Sequence, residues 1–197
     1  MNFCSDNVTE VCPEIMAALI AANEGAMMPY GGDEYTQRLE TKFSLIFETP
    51  VTVFPVTTGS AANALALSAI TPGYGAIYCH AESHINVDEC GAPEFYTGGA
   101  KLVTLNGTDA QIHPSELSKT LENAGAGVVH HVQPAAVSIT QATEVGTVYL
   151  PEEIGEIAKI THAHNLCLHI DGARLANAVV SLDLSLIHIS EPTRRST

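Results

Sequence analysis

The sequence predicts an α/β protein with a mostly parallel sheet and helices on both faces. Three observations carry this. Short runs of β-branched and aliphatic residues alternate with longer segments of helical periodicity. Turns built from Gly, Pro, Ser, Thr and Asp separate them. Hydrophobic residues make up 46% of the 197 and charged residues 15%, enough apolar material for a core and too little charge for a disordered chain.

The elements follow in order. Pro13 opens a helix predicted over Pro13–Asn23, ended by Gly25. Asp33 is placed to cap a second helix over Glu34–Phe47, where Leu39, Phe43, Ile46 and Phe47 fall at helical spacing. Val51–Val56 reads as a strand, weakened by Pro55. Thr57-Thr58-Gly59-Ser60 is a turn, and Ala61–Ile70 is a helix of small residues stopped by Pro72-Gly73. Strands are predicted at Ala76–Cys79, Lys101–Leu105, Gly127–Val132 and Leu166–Ile170, with helices at His113–Asn123 and Pro151–His164. The last has Pro at its first position and Glu152-Glu153 in its first turn.

Twenty-two acids against 8 bases give a formal charge of −14, which repels phosphate backbones and anionic membranes. Neither is expected as a partner, although a few arginines suffice to hold one small anion. The five cysteines, Cys4, Cys12, Cys79, Cys90 and Cys167, include no C-x-x-C pair and read as reduced cytoplasmic thiols. No signal peptide, membrane-length apolar run or internal repeat is evident.

Two turns fall at the carboxyl ends of predicted strands, where ligands sit in such sheets. Thr58-Gly59-Ser60 at a helix start offers backbone N–H groups and hydroxyls to an anion such as phosphate. The same residues also suit an ordinary strand-to-helix turn with a hydroxyl cap. In His169–Arg174, the Asp171 carboxylate can hold a cofactor nitrogen protonated and the Arg174 fork can clamp a carboxylate or phosphate. A structural Asp–Arg pair is the plainer reading. His84 can stack on an aromatic cofactor or shuttle a proton, or serve as a hydrogen-bonded loop residue. The pairs His130-His131 and His162/His164 do not share faces of their predicted strand and helix, so no metal site is expected.

Ser5-Asp6-Asn7, Tyr30-Gly31-Gly32-Asp33, Thr58-Gly59-Ser60-Ala61-Ala62-Asn63, Ser83-His84 with Asp88-Glu89-Cys90-Gly91, and His169–Arg174 continuing to Asn177-Ala178 occur together in this order. The ordered set, from Asn2 to about Leu182, resembles the threonine aldolases among the aromatic amino acid beta-eliminating lyases. The resemblance implies a truncated fold-type I large domain dependent on pyridoxal 5′-phosphate (PLP), the transferase-like architecture of the aspartate aminotransferases. It implies aldol cleavage of L-threonine or L-allo-threonine to glycine and acetaldehyde by a cytoplasmic homotetramer with its active site at a dimer interface. Thr58, Gly59 and Ser60 then match the phosphate-binding turn, His84 the ring-stacking histidine and candidate base, and Asp171 the partner of the pyridine nitrogen. Arg174 matches an arginine near the substrate carboxylate and cofactor, Ser5 a serine that helps hold that carboxylate, and Tyr30 a turn near a neighbouring subunit's site. The alternatives are another fold-type I lyase performing β-elimination, or a catalytically dead fragment. One departure stands out: some relatives carry a second active-site histidine after the strand matching Val128–Val132, whereas Ser138–Glu144 contains none.

The resemblance also implies a cofactor-binding lysine downstream of Asp171, but Lys42, Lys101, Lys119 and Lys159 all precede it. Leu184–Arg194 matches the in-frame translation of a transposase sequencing adapter. Residues 1–183 are therefore expected to be a partial PLP-binding domain with its N-terminal segment, 184–197 a non-native tail, and the chain by itself inactive.

Overall fold

The structure, a computed structural model, describes residues 8–185 and residue 188. The chain divides into two compact units, Met1–Lys42 and Phe43–Thr197.

The first unit holds α1 (Pro13–Ala22) and most of α2 (Glu34–Ile46). Proline opens α1, as its sequence predicts, and Asn23 ends it. Asp33 caps α2: its Oδ1 accepts from the Thr36 N–H at 2.9 Å and its Oδ2 from the Thr36 hydroxyl at 2.8 Å.

The second unit contains a four-stranded parallel sheet in the order β2-β1-β3-β4, from β1 (Gly75–His80), β2 (Lys101–Leu105), β3 (Gln133–Thr140) and β4 (Cys167–Asp171). Every residue of β1 is buried, as befits a central strand covered on both faces. Strand alternation sorts its side chains. Ala76 and Tyr78 join a core with Leu117 and Leu121 of α6 (Pro114–Glu122) and Ile154 and Ile157 of α7 (Pro151–Ala163). Ile77 and Cys79 join another core with Leu67 of α3 (Gly59–Ile70) and Ile85 of α4 (His84–Val87). The short α5 (Ala92–Tyr96) packs against α3, and α8 (Leu175–Leu182) places Ala178 in the α6–α7 core.

Two predicted strands are corrected. Residues 51–56 form no strand: Phe54 is 80% exposed, and Pro55 has no N–H to give a ladder. Gly127–Val132 is turn, and the strand begins one residue later, at Gln133. Gly125 and Gly127 have φ of 70° and 82°, which break extended pairing. The Gln133 side chain ties the turn together, accepting from Gly127 N–H and donating to the carbonyls of Val128 and His131. His130 and His131 therefore lie in a turn, ring centroids 4.8 Å apart, and not across a strand. Pro134 is accommodated inside β3 because the register to β1 shifts between Ala76 and Ile77, beside its missing donor.

Strand order dictates where a ligand can sit. The chain leaves β1 for β2 on one side, then crosses back to β3 on the other. The connections from β1 and β3 thus diverge at their carboxyl ends and leave a crevice there.

Candidate active site

Three segments converge at those carboxyl ends. After β1 come Ser83 and His84; after β3 come Ala142 and Glu144; β4 ends on Asp171, followed by Arg174. The N-terminus of α3 joins them. Alternation along β4 sends Leu168 and Ile170 toward the α6–α7 core and puts His169 and Asp171 on the α3 face.

The α3 N-terminus presents open backbone donors. Thr58 is its cap, extended at φ −145° and ψ 159°, and its Oγ1 accepts from the Ala61 N–H at 3.1 Å. The N–H groups of Gly59 and Ser60 belong to the first turn, which has no intrahelical acceptor for them. A Cβ built on Gly59 would meet nothing within 4 Å, so the approach is open. Gly59 lines a depression of about 360 Å³ together with Asn63, His169, Asp171 and Gly172.

Asp171 is 9% exposed, and both its oxygens are engaged. Oδ1 accepts from the Ala173 N–H at 3.0 Å and Oδ2 from Asn63 Nδ2 at 2.9 Å. Asn63 Nδ2 also donates to Glu89 Oε1 at 2.8 Å, and that oxygen lies 2.9 Å from His84 Nδ1. One amide thus bridges two buried carboxylates, Asp171 and Glu89, and the second reaches the imidazole. The chain reverses after α4 through Cys90 and Gly91, at φ 51° and 74°, which tucks Glu89 under His84. Glycine suits the second of these left-handed positions.

A second chain of contacts links His84 to Arg174. Glu144 Oε1 accepts from the His84 backbone N–H at 3.0 Å and lies 3.4 Å from an Arg174 terminal nitrogen. Arg174 Nε donates to the Ala142 carbonyl at 3.0 Å. The same terminal nitrogen is buried and, apart from that approach to Glu144, makes no hydrogen bond. Beside Asp171, His169 pairs its Nδ1 with Ser138 Oγ at 2.9 Å. Burial holds its imidazole below the ordinary histidine range, and the negative charge of Asp171 opposes that shift.

The structure thus gathers His84, Asp171 and Arg174 into one linked set and puts Gly59 on the same depression as Asp171. Ser5 lies outside the described residues. Tyr30 belongs to the first unit, where it is fully exposed at φ 60°. Asn63, Glu89 and Glu144 carry the links, yet motif reading gave them no role. Asn63 had a signal, since it lies four residues, one helical turn, beyond Gly59. Among the described residues no group of three His, Cys, Asp or Glu side chains could hold a metal. No described helix is long and apolar enough to cross a membrane.

These residues suit PLP. A buried carboxylate at a strand end fits a protonated ring nitrogen, an open helix N-terminus fits a phosphate, and the Arg174 guanidinium, paired with Glu144 but not fully hydrogen-bonded, fits a carboxylate.

The chain is 41% identical over 181 residues to a low specificity L-threonine aldolase of a Pseudomonas species, covering 92% of this chain and 52% of that protein. It is 39% identical over 189 residues to the low specificity L-threonine aldolase of Pseudomonas aeruginosa, covering 96% and 54%. It superposes on the solved Leishmania major threonine aldolase with a TM-score of 0.87 at 29% identity, covering 94% of this chain and 54% of that one. The chain spans about half the length of the curated relatives it matches. Its architecture is that of threonine aldolase and the fold-type I PLP enzymes. Residues 2–193 match the family described as Beta-eliminating lyase, and the chain belongs to that family.

Proposed function

We propose that this chain carries the nitrogen-pairing, ring-stacking and phosphate-binding part of a PLP-dependent aldolase. The enzyme would cleave L-threonine or L-allo-threonine to glycine and acetaldehyde. The observation that carries this reading is the hydrogen-bonded set Asp171–Asn63–Glu89–His84 at the carboxyl end of the sheet, beside an open helix N-terminus. PLP, when bound, supplies an electron sink for the carbon from which a bond is broken.

The chain's own residues have separable tasks in this reading. Asp171, fixed through both oxygens, would keep a ring nitrogen protonated. Gly59 and Ser60 N–H groups, with the Thr58 and Ser60 hydroxyls, would hold the phosphate. His84 would stack on the ring, and its Nε2 would accept the proton of the substrate's β-hydroxyl. Arg174 would bind the substrate carboxylate with its guanidinium, and Ser5 would assist. The same reading makes the enzyme a cytoplasmic homotetramer with Tyr30 near a neighbouring subunit's site.

A chimera tests this. Residues 8–183 replace the matching half of the Pseudomonas aeruginosa aldolase, and the product is assayed with PLP and L-threonine. Acetaldehyde and glycine are expected in equal amounts. Ammonia and a keto acid in their place would shift the assignment to β-elimination. A folded, PLP-loaded chimera that released neither would count against both.

A further inference from the structure

The buried carboxylate of Glu89 is not explained by binding an anion or a ring nitrogen. Its side chain is fully buried, and its two oxygens are used unequally. Oε1 lies 2.9 Å from His84 Nδ1 and accepts from Asn63 Nδ2 at 2.8 Å, while Oε2 is buried without a partner. Asn63 can only donate through its nitrogen, so Oε1 is an acceptor there. A carboxylate can only accept, so the hydrogen bond between Oε1 and Nδ1 places its proton on the imidazole. His84 Nε2 has no hydrogen-bond partner among the described residues, and the side chain is 41% exposed. With a proton fixed on Nδ1, the neutral ring must carry its lone pair on Nε2, the accessible nitrogen.

We propose that Glu89 is a positioning residue that holds the neutral His84 ring in its Nδ1–H tautomer and presents Nε2 as a proton acceptor, with Asn63 tethering Glu89 to Asp171. An unrestrained imidazole favours the opposite, Nε2–H form, which would offer a donor where the reaction needs an acceptor. Glu89 therefore acts through His84 and touches no reacting atom. The consequence for catalysis rests on the aldolase reading above, but the tautomer does not.

The test needs neither cofactor nor substrate. The chain is prepared with 15N-labelled histidine, and the His84 signals are assigned by their loss in His84→Gln. Ring-nitrogen shifts are read at a pH where the ring is neutral. The wild-type ring is expected to show a protonated Nδ1 and an unprotonated Nε2. Glu89→Gln is expected to keep that pattern, because an amide oxygen at the Oε1 position still accepts both bonds and its NH2 replaces the unpartnered Oε2. Glu89→Leu, which cannot accept, is expected to revert to the Nε2–H form. Backbone shifts of Ile77 and Val137 report whether each variant keeps the sheet. A wild-type ring found as Nε2–H overturns the proposal without recourse to any variant. So does a folded Glu89→Leu with an unchanged tautomer, or a folded Glu89→Gln that loses it. Failure of the chimera to release acetaldehyde would leave the tautomer result standing, so the two ideas fail separately.

Discussion

Asp171 shows how little chemical change the site tolerates. Both of its oxygens accept hydrogen bonds, from Ala173 N–H and from Asn63 Nδ2. Asparagine at this position can match only one of those donors and must set its own NH2 against the other. Asp171→Asn is therefore expected to lower stability by about 1–3 kcal/mol, the cost of leaving a buried donor without a partner. Urea denaturation at neutral pH measures this, and an unchanged midpoint would mean the network is looser than its distances imply. His169 gives the site a pH response. Burial depresses its folded pKa below the unfolded value of about 6.5, so the unfolded chain takes up the proton first as pH falls. Stability from this group is complete above that value and declines as pH drops through it toward the lower, folded pKa. Urea midpoints measured from pH 7.5 down to 5.5 should fall, and His169→Gln, which can still bond Ser138, should flatten that part of the curve.

At the scale of elements, α3 connects core to site. Leu67 is fully buried against Ile77 and Cys79, and Asn63, one turn earlier, reaches the carboxylates. Leu67→Ala should cost about 2–5 kcal/mol through the cavity it leaves, whereas Thr58→Ala should cost about 0.5–2 kcal/mol through the lost cap. Thermal or urea unfolding ranks the two, and the reverse order would mean that α3 is held by its end and not by its face. Elements with local signals could be read from sequence: Pro151 opening α7, Asp33 capping α2, and the β-branched run of β2. Those whose outcome depends on distant pairing could not. Val51–Val56 has strand composition but Pro55 denies it a ladder, while β3 carries Pro134 near its start, which hid it until the register shift beside Ala76 made room. The site divides the same way. His84, Asp171 and Arg174 stand in motifs, but the Asn63–Asp171 bond joins residues 108 positions apart, and no local pattern marks such a contact.

For the molecule as a whole, the parallel sheet separates Lys101, Lys119 and Lys159 from the candidate site. His84, Asp171, Arg174 and the α3 N-terminus gather at the carboxyl ends of the strands. Lys101 opens β2 at the opposite, amino end. Lys119 is exposed on α6 and Lys159 on α7, helices whose buried sides pack on the other face of the sheet. None of these three amines is positioned to bond a cofactor carbonyl held between Asp171 and the α3 N-terminus. PLP bound at this site should therefore form no covalent link to Lys101, Lys119 or Lys159 and be held by the phosphate and ring contacts. Mixing the chain with PLP, reducing with borohydride and digesting for mass spectrometry checks this. Scattered, substoichiometric pyridoxyl groups on exposed lysines are expected, as on any protein surface, and gel filtration before reduction should remove most of the cofactor. A stoichiometric adduct on Lys101, Lys119 or Lys159 that survives gel filtration would show instead that the cofactor sits away from Asp171, and the arrangement of the site proposed for this chain would fall with it.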